Sequence, residues 1–282
     1  MISVIYFTNS DVKEAKNLKT QTYEDFEIFY VPVDDLKKRN QALKECNGEY
    51  ITFVSAKDKV ADDFFEYLIM GMSKSHMSVC GYDICEADEV LYETPEGTKR
   101  LLTGEEMQCR IYYQYHFQGY LQNKMFRRQI IASKKISFAE DLEENYDFLF
   151  LMQYLRYAKF VRMLPEIKYH FLPYAGLKRD KRKESDLKIS ETDSYLRCLK
   201  ELPKRSDAYW WGEQTAAGSA LVAYESMEAE AYKSQNFELF LKSPMKKMAK
   251  KCLKLEYEIE DEEEERLFLG LLEYSKTGRI SL

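Results

Sequence analysis

Ile2-Ser3-Val4-Ile5-Tyr6-Phe7-Thr8 is a short apolar run rich in β-branched and aromatic residues, and it stops at the polar pair Asn9-Ser10. That composition and length predict a buried strand. Residues 11–19 then read as a short helix capped by Ser10 or Asp11. Residues 26–31 give a second strand, and 36–46 a second helix that ends before Asn47-Gly48. Residues 50–54 give a third strand, 61–72 a third helix, and 77–84 a fourth strand. Strict alternation of strand and helix predicts parallel β-α-β units with right-handed crossovers. In such sheets ligands bind beyond the carboxyl ends of the strands. Those ends are Thr8-Asn9, residues 32–35 and residues 55–58, all of them polar or charged apart from Pro32, Val33 and Ala56.

Farther along, Val90-Leu91-Tyr92 and Lys99-Arg100-Leu101 flank Pro95-Glu96-Gly97, which predicts a hairpin over 88–103. Residues 104–119 have helical spacing. Residues 146–158 form an amphipathic helix carrying Phe148, Leu149, Leu151, Met152 and Leu155. From about residue 185 the apolar residues recur only at helical spacing, so a boundary is expected near Gly176. The expected organisation is an α/β domain over 1–175 and a helical C-terminal region over 176–282. No internal repeat is visible.

The composition narrows the function classes. In 282 residues there are 11 Gly and 6 Pro, too few for long flexible linkers or a low-complexity fold. Forty-two basic against 48 acidic residues give a net charge of -6, so no global field draws the chain to nucleic acid. The six cysteines form no CxxC pair and have no histidine at zinc-ligand spacing. They read as reduced, mostly buried thiols, which together with the absence of a leader or a long apolar span points to a cytoplasmic protein.

Five blocks of residues carry a resemblance. Gln21-Thr22-Tyr23-Glu24-Asp25-Phe26-Glu27-Ile28 resembles the QTYxDFEI segment of family 2 glycosyltransferases of the GT-A fold. Arg39-Asn40-Gln41-Ala42-Leu43 with Asn47-Gly48-Glu49-Tyr50-Ile51 is similar to that family's RNxal…xGEYI block. Asn123-Lys124-Met125-Phe126-Arg127-Arg128 resembles its NKLFRR block, Asp147-Phe148-Leu149-Phe150 the end of its EDxxF motif, and Tyr169-His170-Phe171 its YHY. The blocks arrive in family order over roughly residues 1–175. The resemblance implies a GT-A-like, mostly parallel sheet with flanking helices. It also implies inverting transfer of a sugar from a nucleotide-sugar donor to a glycan or lipid-linked acceptor in surface polysaccharide synthesis.

Three departures accompany it. Pro32-Val33 stand where the family's base-binding acids are expected, and Asp34-Asp35 come two residues later. Where the family reads roughly FLDSDD, the chain reads Phe53-Val54-Ser55-Ala56-Lys57-Asp58, so the metal-binding DxD is degraded. The first helix is about one turn short.

Site expectations follow from the resemblance, each beside a structural alternative. Asp147 matches the family's general base, which would take the acceptor hydroxyl's proton, or else it faces a helix dipole. Asp58 and His170 match metal-holding positions for Mg2+ or Mn2+, or else serve as a helix cap and a structural histidine. Asp34 and Asp35 would meet the nucleobase or ribose, or cap the next helix. Thr8, Arg39, Lys57 and Lys124 complete the donor-binding set, Lys57 as a cation against the diphosphate. Arg39 and Lys124 could equally be surface residues. In the C-terminal region, residues 242–254 form a basic amphipathic stretch suited to an anionic inner membrane face, followed by an acidic run over 256–265 with which it could instead pair. Trp210-Trp211 fit a sugar or, alternatively, a core. The functional alternative to the enzyme is an inactive relative that binds a glycan or a partner transferase.

Overall fold

A computed structural model describes residues 1–8, 14–86, 89–94, 99–113, 119–172 and 184–280. Its chain divides into two compact units. One comprises Met1–Glu140 and Phe150–Leu177, the other Asp141–Leu149 and Lys178–Leu282.

The first unit is built on a mixed sheet in the order β2-β1-β3-β8-β5-β9-β4. These strands are β1 (Ile2–Thr8), β2 (Phe26–Pro32), β3 (Tyr50–Ser55), β4 (Lys59–Val60), β5 (Met77–Glu86), β8 (Lys124–Arg127) and β9 (Phe160–Phe171). The long ladders β1–β2, β1–β3 and β5–β9 are parallel, while shorter antiparallel ones bring in β8 and β4. This is the expected mixed, mostly parallel α/β sheet. Helices α1 (Leu36–Glu45), α2 (Phe64–Gly71), α3 (Gly104–Tyr113) and α4 (Arg128–Lys134) flank it, and α5 (Tyr146–Leu155) begins in the second unit and ends in the first.

Every residue of β1 is buried, as a strand covered on both faces requires. Because side chains alternate along a strand, Tyr6 and Phe7 enter different halves of the core. Tyr6 joins Val54, Phe64, Phe65, Leu68, Tyr82 and Tyr169 on the α2 side. Phe7 stacks on Phe53, which is also ringed by Phe126, Phe138 and Phe150 within 6.0 Å between centroids. Such ring pairs contribute roughly 0.5–1.5 kcal/mol each beyond their burial.

Two local expectations are corrected. Strand β6 (Glu89–Glu93) pairs with β5, and β7 (Arg100–Thr103) with β9, so 88–103 is not a hairpin. Both segments are short and mostly exposed, and each pairs with a different strand rather than with its neighbour in sequence. Within 11–19 the described structure is a 3-10 turn over Lys16–Leu18, not an α-helix. Asn17 explains the difference. Its amide donates to the carbonyls of Ser55 and Asp58 at 3.0 and 2.7 Å and its oxygen accepts from Tyr6, contacts made outside the turn rather than along a helix. The Ser10/Asp11 cap, the Pro95-Glu96-Gly97 turn and the boundary at Gly176 lie outside the described residues.

The second unit is helical beyond residue 184: α6 (Glu184–Cys198), α7 (Asp207–Ser234), α8 (Met245–Cys252) and α9 (Glu262–Thr277). Ser206 caps α7 by accepting from the Tyr209 amide, and Asp261 caps α9 by accepting from Glu264. The acidic run therefore reads as a helix start: Glu262 to Glu265 fill the first turn of α9, where the helix dipole favours negative charge. Among the described residues no ion pair joins that run to the lysines of α8, so the expected pairing of the two charged faces is not what holds them.

Candidate functional site

The carboxyl end of β1 carries a loop on either side. On one side the Val33 amide donates to the Thr8 carbonyl at 3.2 Å, and on the other the Ala56 amide donates to the Phe7 carbonyl at 2.8 Å. The first loop opens a cleft of about 670 Å³ lined by Thr8, Pro32, Val33, Asp34, Asp35, Leu36, Lys37 and Glu140. It lies where open α/β sheets take their ligands.

Each wall of the cleft is held from behind. Asp35 caps α1, accepting from the Lys38 amide at 2.9 Å, while Asp34 is exposed. Arg39, expected beside the nucleotide or on the surface, is neither. It is 2% exposed, its guanidinium lies 3.9 Å over the Phe7 ring, and it donates to the Val33 carbonyl. It therefore fixes the cleft wall from inside. Asn40 reaches across to the segment before α5: its amide donates to Phe138 O and Glu140 Oε1 at 2.9 and 3.0 Å, and its oxygen accepts from the Phe138 amide. This puts the Glu140 carboxylate at the mouth. Glu140 and Asn40 had no assigned role in the sequence, although Asn40 sat inside a quoted block. Three carboxylates against Lys37 make the cleft acidic. It suits N–H and hydroxyl donors such as a nucleobase edge or a ribose, and it repels phosphate.

The second loop, 55–58, is closed. Asp58 is 2% exposed, and its two oxygens accept from the Tyr169 hydroxyl at 2.8 Å and the Leu172 amide at 3.1 Å. The Tyr169 hydroxyl in turn accepts from the Ser55 amide at 3.1 Å. Burial pushes the Asp58 carboxyl above its ordinary value, with these hydrogen bonds pulling the other way. Asp58 is not the cap of α2, which starts at Phe64 after Asp63. Lys57 donates to the Leu172 carbonyl at 2.8 Å, and partial burial lowers its pKa.

His170 and Asp58 are not brought together. Tyr169 and His170 are neighbours on β9 and point to opposite faces. Tyr169 faces Asp58, whereas His170 Nδ1 sits 2.8 Å from Asp83 on β5. Among the described residues no group of three or more His, Cys, Asp and Glu is placed to hold a metal. The Mg2+ or Mn2+ ion implied by the resemblance does not fit Asp58 and His170 as they stand. One is buried with protein donors on both oxygens, and the other is turned onto a different carboxylate.

Lys124 is buried rather than phosphate-facing or on the surface. Its ammonium donates to the Tyr120 carbonyl and, at 2.7 Å, to Asn123 Oδ1, and burial lowers its pKa to about 7. Other quoted blocks are likewise explained by packing. The Gln21 amide joins the Ala61 carbonyl and Phe65 amide at the start of α2, and a Cβ at Gly48 would stand 2.6 Å from the Ser3 amide nitrogen.

Asp147 stands half-buried in the first turn of α5, in the second unit. The segment before it is clamped by α6. Arg197 makes a two-pronged ion pair with Asp141 at 2.9 and 2.6 Å, and Ser190 accepts from the amides of Glu143 and Glu144. Ser194 donates to the carbonyl of Asn145, whose φ of 59° turns the chain into the helix, and Phe148 meets Tyr195 edge-on. On α8 the apolar residues Met245, Met248 and Cys252 are buried, leaving Lys247, Lys250 and Lys251 outward. Residues 242–254 therefore offer a charged face and no apolar one for insertion. Trp210 and Trp211 meet edge-on, 4.8 Å between centroids, both half-buried in α7.

Comparison with known proteins places this geometry. The model superposes on S. aureus TarS 1-349 solved with UDP-GlcNAc at a TM-score of 0.58, with 98% of this chain and 87% of that one covered and 16% identity. The complex of TarS 1-349 with UDP gives 0.59 over 98% and 91% at 15% identity. The fold is that of TarS, GT-A-like. In sequence, the chain is 29% identical over 133 residues to the uncharacterized glycosyltransferase EpsJ of Bacillus subtilis, a match taking in 45% of this chain and 39% of EpsJ. No protein-family model matches the chain. Among the described residues no helix is long and apolar enough to cross a membrane.

Proposed function

We propose that the chain is an inverting family 2 glycosyltransferase, moving a sugar from a nucleotide-sugar donor to a glycan or lipid-linked acceptor in surface polysaccharide synthesis. The observation that carries this reading is the acidic cleft at the ends of β1 and β2, in a fold shared with a protein solved with UDP and UDP-GlcNAc. Asp34 and Glu140 accept from the nucleobase edge and ribose hydroxyls. Thr8 and the Asp35-capped start of α1 form the floor. Arg39 and Asn40 are positioning residues for these walls. Because the cleft repels phosphate, the diphosphate lies over the end of β1 toward Lys57. Asp147 is the general base. It takes the proton of the acceptor hydroxyl as that oxygen attacks the anomeric carbon, and the bond to the nucleoside diphosphate breaks on the opposite face. Peripheral contact with an anionic inner membrane face, where a lipid-linked acceptor would sit, falls to the lysines of α8 through charge alone.

The burial of Asp58 favours a second reading, a non-catalytic relative that binds a glycan or a partner transferase. One variant separates the two. Asp147→Asn keeps shape and helix-start chemistry but cannot accept the proton. A nucleotide-sugar screen followed by kinetics should show turnover falling about a hundredfold or more with the donor Kd nearly unchanged. Full activity in the variant removes Asp147 as the base. Saccharide binding without turnover of any nucleotide sugar establishes the second reading.

A further inference from the structure

A second groove, of about 460 Å³, lies within the second unit, lined by the segment that leads into α5, by α6 and by α8. Its acids belong to the segment and to α6, Glu143 and Asp186 among them, and its lysines, Lys247 and Lys251, to α8. Each wall is fixed from behind. Arg197 pairs with both oxygens of Asp141 and also with Asp193, so three of the charged lining residues largely neutralise one another. Ser190 accepts from the amides of Glu143 and Glu144. On α8 the burial of Met245, Met248 and Cys252 sets the roll of the helix. Lys247 and Lys251, one turn apart, then share the groove face, which Lys250 does not line.

Among the described residues neither of these ammonium groups forms an ion pair or a side-chain hydrogen bond, and neither does the Asp186 carboxylate. Opposite charges that share a space without closing on each other keep donors and acceptors open to a ligand. The balance of charge says which ligand. Four carboxylates and three cations line the groove, so net charge does not draw in a bare anion, and the two lysines repel a bare cation. A saccharide with one acidic group meets every wall. Its hydroxyls donate to Asp186 and Glu143, its carboxylate or phosphate accepts from Lys247 and Lys251, and its C–H face lies on the buried Leu142, Ile189 and Met248. Glu143 also precedes Asp147 by four positions in the same unit, and four residues span at most about 14 Å. An oligosaccharide held in the groove is long enough to carry a hydroxyl to that carboxylate.

Resting on the transferase reading and its base Asp147, we infer that this groove is an acceptor subsite and that the acceptor is an acidic saccharide. Lys247 and Lys251 take its anionic group, and Asp186 and Glu143 take its hydroxyls.

The test is calorimetric titration of the full chain at low salt with a matched set of probes. These are maltotetraose, maltotetraose ending in one glucuronate, maltotetraose carrying one phosphate, inorganic phosphate and tetraglycine. The glucuronate or the phosphate form is expected to bind at about 1 mM or tighter, and about tenfold more tightly than maltotetraose. Whichever of the two leads identifies the acidic group. Lys247→Gln with Lys251→Gln should erase that preference, and Lys250→Gln, the same charge change off the groove, should alter it by less than about twofold. Asp186→Ala should weaken the acidic and neutral forms alike, by about fivefold, with the melting temperature of every variant unchanged. Equal affinity for acidic and neutral forms overturns the inference, as does binding of neither acidic form. Phosphate or tetraglycine binding as tightly as the acidic saccharides overturns it too, as does an equal loss from Lys250→Gln. Titration with nucleotide sugars separates the two levels. A nucleotide sugar bound by a chain that takes neither acidic form overturns the inference and leaves the transferase reading standing. An acidic saccharide bound by a chain that neither binds nor turns over any nucleotide sugar overturns the acceptor role and the transferase reading together.

Discussion

The two loops that hang from the end of β1 have opposite characters. Residues 32–37 present exposed or half-exposed carboxylates to a cleft and are held from behind by Arg39 and the cap at Asp35. Residues 55–58 turn their only carboxylate inward and bond it to the end of β9, through the Tyr169 hydroxyl and the Leu172 amide. Acidic residues close together in space thus do different things, and burial decides which. An exposed carboxylate keeps its capacity to accept from a ligand. A buried one must have that capacity met by the protein, because an unmet one is costly. The open loop is equipped for recognition and the closed one for stability.

That division is open to measurement, the largest effect being expected at the closed loop. Asp58→Ala removes the acceptor of the Tyr169 hydroxyl and Leu172 amide, so denaturant unfolding should show a loss of about 3 kcal/mol. The site also carries a pH signature. The folded pKa of Asp58 is raised, so between the ordinary carboxylate value and the raised one the native state binds the extra proton. Its contribution to stability is full below that window and falls as pH rises through it. The wild-type advantage over Asp58→Ala should therefore be larger toward pH 4 than at neutral pH. A stability unaffected by the alanine would dissolve the contrast between the loops. At the open loop, Asp34→Ala should leave unfolding within about 0.5 kcal/mol of wild type, since it is an exposed position. Nucleotide affinity in the same variant should drop roughly five- to tenfold, the loss of one hydrogen bond. An Asp34→Ala that destabilises without touching affinity would reverse its assignment. The smallest effect belongs to Asp35. Alanine there should cost about 1 kcal/mol through the lost cap, and asparagine almost nothing, by the same unfolding measurement.

Much of the sheet was legible because the strands of the first ninety residues are dense in β-branched and aromatic residues and separated by turn chemistry. Three strands escaped reading: β4 and β8, two and four residues long, owe their existence to partners distant in sequence, and β9 (Phe160–Phe171), though twelve residues long, is interrupted by Arg162, Pro165, Glu166 and Lys168 and shows no continuous apolar run. The hairpin over 88–103 failed for a related reason. Local pattern marks a segment as extended but does not name its partner, and β5 and β9 had open edges to offer. Within the site, residue types were readable and directions were not. Lys124 and Arg39 sit in blocks quoted for the resemblance and Asp58 in a segment that departs from it, but whether a charged side chain turns inward depends on what surrounds it: Tyr169 for Asp58, Tyr120 and Asn123 for Lys124, Phe7 and Val33 for Arg39. Glu140 went unassigned because its importance comes from Asn40, 100 positions earlier.

The clamp that α6 places on residues 141–148 has a bearing on how such chains can be recombined. The turn that carries Asp147 is written in the α/β half of the sequence, yet Arg197, Ser190, Ser194 and Tyr195, which hold it, come from the helical half. A chimera joined near residue 176 with another protein's helices would inherit Asp147 without its braces. The two halves are therefore expected to travel together through gene fusion and exchange, and on the role proposed for Asp147 the C-terminal helices brace the base rather than form an interchangeable tail.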